Sequence, residues 1–204
     1  MIDFTLNIKS VSLIITSYLI GNISPSIIQS RMRGIDIRNE GSGNAGTTNT
    51  LRVMGIKAAL ITLVVDIGKG VLAVWFGVYF DSRYTAMMCG FFAFIGHCWP
   101  ATLGFKGGKG VATAFGVLLA IKPAFGLLML AIVVASVLIS RKVSVGSIMG
   151  ALSFPFVCYF MERDFIYIGI AMAAIVLLRH RSNIKRLING EEHDISFRRS
   201  NKED

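Results

Sequence analysis

Charged residues are scarce in this chain of 204 residues: they make up 16% of it, whereas 53% is hydrophobic and the mean hydropathy is +0.63. A soluble domain carries about a quarter charged residues. Long apolar runs also follow one another without a polar block of domain size. The scarcity of charge therefore excludes a soluble fold and predicts one integral-membrane domain over residues 1–204, with a short tail from about residue 180.

Cysteine is scarce as well, and its placement excludes two further classes of protein. Cys89, Cys98 and Cys158 lie in apolar runs, are odd in number and show no CxxC spacing. We expect them to be small buried side chains, and neither a disulfide framework nor a metal site. The HExxH pattern of zinc hydrolases and the serine elbow of Ser-His-Asp hydrolases are also missing. The sequence therefore offers no evident metal centre and no nucleophile with a paired base.

The positive charge of the chain does not indicate nucleic acid. The net charge is +9, with 21 Lys and Arg against 12 Asp and Glu, and such a balance can mark nucleic-acid binding. Here the basic residues separate apolar runs, and no zinc-knuckle or aromatic-basic signature accompanies them. Basic residues at the ends of spans are instead the usual orientation signal. The expected partner is membrane lipid, with no nucleic acid.

Six apolar runs predict the membrane topology. They are Val11–Ile28, Ala58–Phe80, Tyr84–Leu103, Val111–Ser140, Val143–Met161 and Phe165–Leu178. The fourth run is too long for one span of about 20 residues and too short for two. Lys122-Pro123 lies near its middle, where lysine is costly in a membrane and proline breaks a helix. Dividing it into Val111–Ile121 and Ala124–Ser140 predicts an all-α protein with seven transmembrane helices.

The basic residues orient these seven spans. With the N-terminus outside, four of them fall on outer segments, sixteen fall on inner segments and Lys69 lies within a span. The outer four are Lys9, Arg83, Lys122 and Arg163; the inner sixteen are Arg31, Arg33, Arg38, Arg52, Lys57, Lys106, Lys109, Arg141, Lys142, Arg179, Arg181, Lys185, Arg186, Arg198, Arg199 and Lys202. This excess follows the positive-inside rule and predicts a C-terminal tail in the cytoplasm.

A polar, glycine-rich segment runs from Asp36 to Arg52 between two apolar runs. Glycine lets backbone N–H groups converge, Ser, Thr and Asn add neutral donors, and arginine adds a fork that matches phosphate oxygens. The segment predicts phosphate binding beside lipid, and the alternative is a flexible loop with tight turns. Its candidate ligands are Ser42, Gly43, Asn44, Thr48, Asn49 and Arg52.

A second segment of this kind precedes the apolar helix that begins at Val111. It resembles a P-loop superficially but lacks the required first glycine and the Ser or Thr after the lysine. A helix start offers free N–H groups and a positive dipole end, which favours an anion there. The alternative is that the lysines only orient the span. The candidate residues are Lys106, Gly107, Gly108 and Lys109.

A third polar cluster follows the last apolar run. His180 and Asn183 would share a face if the last span continues as a helix, with Arg186 on a neighbouring part of it. The alternative is a basic anchor for lipid headgroups. Inside the spans, Asp66 and Lys69 are three residues apart and are either functional or simply paired.

The sequences of these clusters strongly resemble those of the bacterial membrane acyltransferases that use acyl phosphate to acylate glycerol 3-phosphate. The matching stretches are DIRNEGSGNAGTTNTLR at Asp36–Arg52, HCWPATLGFKGGKGVATAFG at His97–Gly116 and HRSNIKRLINGEE at His180–Glu192, with weaker matches at Asp66–Gly70 and Ser144–Ser147. They cover nearly all of the polar sequence expected to face the cytoplasm. Thr47 departs from the small apolar residue expected before the Thr-Asn pair.

The resemblance implies a seven-helix enzyme of the bacterial inner membrane with its active site facing the cytoplasm. It would transfer an acyl group from acyl phosphate to the 1-hydroxyl of glycerol 3-phosphate, giving lysophosphatidic acid and phosphate in the first acylation step of phospholipid biosynthesis. It implies no metal, no cofactor and no acyl carrier as direct donor. By position it assigns Ser42, Lys109, His180 and Asn183 to catalysis and Arg52 to substrate binding.

Two further features bear on this expectation. The His-x4-Asp pattern common in thioester-dependent glycerolipid acyltransferases is missing, since Thr102, Lys185 and Arg198 stand five residues after the three histidines. The alternative function is a membrane carrier for an organic phosphate, because glycine-interrupted helices and basic cavities suit a carrier as well. A carrier should place its anion site near the middle of the membrane, open alternately to both faces.

Overall fold

The structure is a computed structural model that describes residues 7–194, and these residues form ten α-helices, three short 3-10 turns and no β-strand. The predicted all-α class is therefore confirmed. The helices are α1 (Ile8–Gly21), α2 (Pro25–Arg31), α3 (Thr47–Met54), α4 (Ile56–Phe80), α5 (Arg83–Cys98), α6 (Val111–Ile121), α7 (Pro123–Ser140), α8 (Val143–Met161), α9 (Ile166–Arg179) and α10 (Arg181–Ile188). The end of the predicted tail, with Arg198, Arg199 and Lys202, lies outside the described residues.

Four helices within residues 7–194 are long and apolar enough to cross a membrane: α4, α5 with the turn that follows it, α7 and α8. The pairs α1–α2 and α9–α10 each pass the same test when taken together, with bends of 42° and 55°. The described residues thus contain four to six candidate spans by length and composition. Helix α6 is apolar but has only 11 residues.

The predicted division of the longest apolar run is confirmed. Helix α6 ends at Ile121, and α7 begins at Pro123, where a proline at the first helical position needs no N–H partner. Between them Lys122 adopts an extended conformation, and its Nζ donates to the carbonyl of Met161 at 2.8 Å. The lysine thus satisfies a carbonyl at the end of α8 instead of interrupting a single long span.

The outer face of the bundle is apolar, as a lipid-facing surface requires. Large hydrophobic side chains on α4, α7 and α9 are widely exposed, among them Trp75, Leu138, Ile139 and Tyr167. Such a surface would be an aggregation hazard in water but is the expected surface in a bilayer. The three cysteines, in contrast, are all buried free thiols, as their placement predicted.

Close helix packing fixes where the polar segments emerge. A Cβ on Gly70 of α4 would lie 2.4 Å from the carbonyl oxygen of Thr113, and a Cβ on Gly116 of α6 would lie 2.1 Å from that of Ile67. The two backbones therefore approach too closely for any side chain, as small residues allow in membrane helix pairs. This contact holds the start of α6, and with it the segment 106–110, against α4.

Helix α3 is an element that the sequence did not predict. It begins after Gly46 and ends at Met54, and the Gly55 that follows has a φ of +84°, which suits glycine alone. It lies inside the segment expected to be loop, and it carries Thr48, Asn49 and Arg52. These three side chains are therefore held on a helix that begins directly after the glycine-rich turn.

Candidate active site

A cavity of about 510 Å³ lies where the three polar clusters meet. The predicted residues that line it are Ser42, Asn44, Thr48, Asn49, Arg52, Lys109, His180 and Asn183. Beyond this polar mouth the lining becomes apolar and comes from α6 to α9, with Leu118, Met129, Leu130, Val133, Phe154, Met172 and Val176. The structure therefore joins a cationic and amide-rich mouth to an interior that suits a hydrocarbon chain.

A second cavity of about 660 Å³ adjoins the first, and the two share Ser42, Asn44 and Lys109. Gly43, Lys106 and Gly107 line this second cavity. Gly108 lines neither, because it packs between two loops: a Cβ there would lie 2.6 Å from the Ala45 carbonyl oxygen. Gly108 thus allows the first and second polar segments to touch.

Asn49 organises the first polar segment. Its side-chain oxygen accepts from the Ser42 backbone N–H at 2.8 Å, and its amide nitrogen donates to the carbonyls of Glu40 at 2.9 Å and Ile37 at 3.2 Å. The side chain is almost fully buried. Its polar atoms are therefore occupied by the turn around Ser42, so that Asn49 shapes the turn while Ser42 and Asn44 border both cavities.

Lys109 and Asn183 are hydrogen-bonded to each other across 74 residues of sequence, the Lys109 Nζ donating to the Asn183 Oδ1. The Asn183 Nδ2 donates to one carboxylate oxygen of Glu192 at 2.7 Å, and the Arg186 Nε donates to the other at 2.7 Å. Burial, followed by the charge of Arg186, lowers the pKa of Lys109 to about 8. The site thus holds an amine that keeps its charge at neutral pH but lies close to its titration range.

Glu192 was not among the predicted site residues. It is 8% exposed, lines the first cavity and fixes both Asn183 and Arg186. It stands in the third matching stretch, but a site expected to bind anions predicts cations and amides and not a carboxylate. Its position next to two donors that would otherwise be free explains its presence there.

His180 marks a break that the sequence did not predict. The shared face of His180 and Asn183 was expected on condition that the last span continues as a helix, whereas α9 ends at Arg179 and α10 turns away by 55°. The His180 ring is 3% exposed, and its Nδ1 lies 2.8 Å from the Val176 carbonyl oxygen. Since a carbonyl only accepts, Nδ1 carries the proton, and in the neutral ring Nε2 carries the lone pair. The break nevertheless leaves His180 and Asn183 on the same cavity.

The sequence predicts for Arg179 only a role in orienting the last span, yet its side chain contacts the second polar segment directly. Its Nε donates to the Gly108 carbonyl at 3.0 Å, and its NH2 donates to the Gly107 carbonyl at 2.7 Å. Its guanidinium carbon lies 5.6 Å from the centre of the Trp99 ring. Arg179 therefore ties the end of α9 to the turn that presents Lys109.

Beneath the mouth, Asp66, Lys69 and His97 form a buried charged cluster. The Lys69 Nζ lies 2.7 Å from the Asp66 Oδ1, 2.8 Å from the His97 Nδ1 and 2.7 Å from the Ile23 carbonyl oxygen. The pairing of Asp66 with Lys69, one of the two predicted alternatives, is thus present. The His97 carbonyl also accepts from the Gly108 N–H at 3.1 Å. The cluster connects α4, the break after α1 and the turn before Lys109.

Comparison with known proteins agrees with this geometry. Residues 11–190 match the family described as glycerol-3-phosphate acyltransferase. Glycerol-3-phosphate acyltransferases of Thermoanaerobacter sp. (strain X514) and Clostridioides difficile (strain 630) are 45% and 43% identical to the chain; the alignments cover 87% and 89% of this chain and 91% and 93% of the relatives.

Two solved structures share the fold. Both are crystal structures of PlsY, an integral membrane glycerol 3-phosphate acyltransferase, one in a glycerol 3-phosphate form and one in a lysophosphatidic acid form. Their TM-scores are 0.86 and 0.83 at 34% and 33% sequence identity, and each covers 92% of this chain and 96% of the other. The similarity therefore extends over most of the helical bundle.

Proposed function

The chain belongs to the glycerol-3-phosphate acyltransferase family, and from this we propose that it transfers the acyl group of an acyl phosphate to the 1-hydroxyl of glycerol 3-phosphate. The observation that carries the proposal is the meeting of the three polar segments at the mouth of a cavity with an apolar interior. An acyl phosphate has one phosphate and one hydrocarbon chain, and the acceptor brings a second phosphate. A mouth with several cations over an apolar interior meets both needs.

We infer a division of the two phosphates between the polar groups. Ser42, Asn44 and Lys109, which border both cavities, would hold the phosphate of the donor, with the Gly43 turn and the start of α6 behind them. Arg52, Asn183 and His180 would hold the phosphate of glycerol 3-phosphate on the side of the first cavity, with His180 donating from an Nε2 that the bound dianion keeps protonated. The acyl chain would then extend between α6, α7 and α8.

The chemistry needs little beyond position and charge. The acceptor hydroxyl oxygen attacks the acyl carbonyl carbon, the bond from that carbon to the phosphate oxygen breaks, and the proton passes to the departing phosphate. The ester product is lysophosphatidate, and the phosphate leaves as hydrogen phosphate. Phosphate is a good leaving group, so that holding two anions in the reacting geometry and offsetting their charge supplies most of the acceleration. The competing assignment is His180 as the general base.

Replacing His180 distinguishes these assignments. If His180 binds the acceptor, His180→Ala should raise the KM for glycerol 3-phosphate by about 10-fold with a smaller change in kcat, since the hydrogen bond from a protonated Nε2 to the phosphate is lost. His180→Asn is the matched variant, because its amide can still donate to the Val176 carbonyl but cannot take a proton. A fall in kcat of about 100-fold or more in both variants, with an unchanged KM, would instead make His180 the base.

The activity itself is tested with purified protein in detergent. Acyl phosphate with glycerol 3-phosphate should release phosphate and lysophosphatidate in equal amounts, whereas an acyl thioester alone should give neither. Release of lysophosphatidate from the thioester would contradict the proposed donor. Proteoliposomes that moved labelled glycerol 3-phosphate without forming lysophosphatidate would support the carrier alternative.

We further propose a seven-span topology in the inner membrane, with the N-terminus outside and the active site facing the cytoplasm. The four long helices, the two bent pairs and the short α6 supply seven apolar segments, and most basic residues would then lie inside. All native cysteines are buried, so single exposed cysteines can report the side. Phe105→Cys and Glu191→Cys should react with a membrane-impermeant reagent only from the inside, and Arg83→Cys only from the outside; the opposite pattern would refute the topology.

A further inference from the structure

The two cavities beside Lys109 have linings of opposite character. The first cavity is apolar beyond its mouth. The second cavity, of about 660 Å³, is bordered mainly by polar groups, glycines and basic side chains. They adjoin at a shared wall of Ser42, Asn44 and Lys109. The products of the proposed reaction also differ in character, because one keeps the acyl chain and the other is a small dianion.

The second cavity carries a large excess of positive charge. Within residues 7–194, its lining has five basic residues, Arg38, Lys106, Lys109, Arg179 and Arg181, and one acidic residue, Asp36. Asp36 is already paired with Arg38 at 2.6 Å. Among the lining residues, four cations therefore have no carboxylate to balance them. A concave surface of this kind attracts a small anion.

The exposure of these cations increases from the shared wall toward the outer part of the cavity. Lys109 is partly buried at the shared wall, whereas Lys106 and Arg181 are exposed at the outer part of the cavity. Arg179 is fixed by its bonds to Gly107 and Gly108, directly before Lys109 in the same turn. Lys106 and Arg181 come from different polar segments, and span orientation alone does not require that they border one cavity.

We propose that the second cavity binds inorganic phosphate released from the donor and conducts it to water, so that the two products leave by separate routes. This inference rests on the proposed function, because only a phosphate-bearing donor releases the ion beside the shared wall. Phosphate left at Ser42 and Lys109 would block the next donor. The exposed cations further out in the cavity offer the phosphate a second binding position, which lowers the free-energy barrier to its release.

The chain contains a reporter at this site. It has two tryptophans, and Trp99 lines the second cavity while Trp75 lies exposed on the outer face of α4. In a Trp75→Phe variant, fluorescence therefore reports Trp99 alone. Because the Arg179 guanidinium lies over the Trp99 ring, an anion that binds there should change the emission.

The test is a titration of the Trp75→Phe protein with inorganic phosphate in detergent, without any acyl donor and at constant ionic strength. We expect saturable binding that persists when glycerol 3-phosphate is present at saturation. In Arg181→Gln the dissociation constant for phosphate should rise about fivefold to tenfold. Lys185→Gln is the matched control, since Lys185 is exposed on the same short helix and lines neither cavity.

Product inhibition provides a second readout that does not depend on fluorescence. The inhibition constant for phosphate should rise in Arg181→Gln by a similar factor and stay unchanged in Lys185→Gln. An unchanged inhibition constant in Arg181→Gln, or phosphate binding that glycerol 3-phosphate abolishes, would overturn the proposal. If instead acyl phosphate is not consumed while Trp99 still reports phosphate binding, the proposed donor is wrong and the anion cavity stands.

Discussion

Replacing Lys109 with methionine should lower kcat/KM by about 100- to 1000-fold, the range found when one preorganised charge-stabilising donor is removed from an active site. In the described part of the chain, Lys109 is the one Lys or Arg that lines both cavities, and its Nζ donates to Asn183. The variant therefore loses a charge next to the donor phosphate and also frees the amide that Glu192 holds on its other side. Methionine keeps a similar length and apolar stem, so the fold should persist.

The same residue sets an upper pH limit. Burial lowers the pKa of Lys109 to about 8, so the free enzyme loses this charge as the pH rises through about 8. kcat/KM, which reports the free enzyme, should therefore fall above that pH. Lys109→Arg should move this limb upward, because a guanidinium keeps its charge over the whole range. Steady-state assays of both proteins between pH 6 and about 10 measure the shift.

A matched control separates this local effect from a general loss of positive charge. Lys57 is exposed near the start of α4 and lines neither cavity. Lys57→Met should keep kcat/KM within about twofold, since isolated surface charges contribute little. An equal loss in both variants, or a pH limb that does not move in Lys109→Arg, would contradict the role assigned to Lys109.

The sequence was informative where one strong physical constraint acted alone. A lysine and a proline in the middle of an apolar run cannot both be accommodated in a straight span, and the helices divide at Lys122-Pro123. The same holds for Ser42, Lys109 and Asn183, which stand in three separate segments whose donor groups have few structural uses. The structure places all three on one cavity.

The sequence was less informative where tertiary contacts decide. Helix α3 consists at its start of Thr47, Thr48 and Asn49, which are weak helix formers, and an eight-residue helix is marginal in isolation. It forms here because Asn49 is tied to the preceding turn. Arg179 looked like an orientation signal, because a contact with the carbonyls of Gly107 and Gly108 has no sequence pattern.

The buried cluster beneath the site predicts the largest effect on stability. Asp66 and Lys69 are each at most 4% exposed. The Asp66 carboxylate and the Lys69 ammonium contact each other, and both contact His97. Asp66→Asn removes one charge and leaves the other buried without a counter-ion, which costs about 3–5 kcal/mol. We expect a large fall in the melting temperature in detergent, followed by fluorescence or by light scattering.

Removing both charges should cost much less than removing one. In Asp66→Leu with Lys69→Met the buried ammonium is absent, so most of the stability lost in Asp66→Asn should return. Activity should not return with it, because the cluster also fixes His97, whose carbonyl holds the Gly108 N–H next to Lys109. A double variant that is stable but raises the KM for either phosphate substrate would show that the cluster positions the turn before Lys109. A double variant as unstable as Asp66→Asn would show instead that the charged contacts of Asp66 and Lys69 with His97 hold α4 and α5 together.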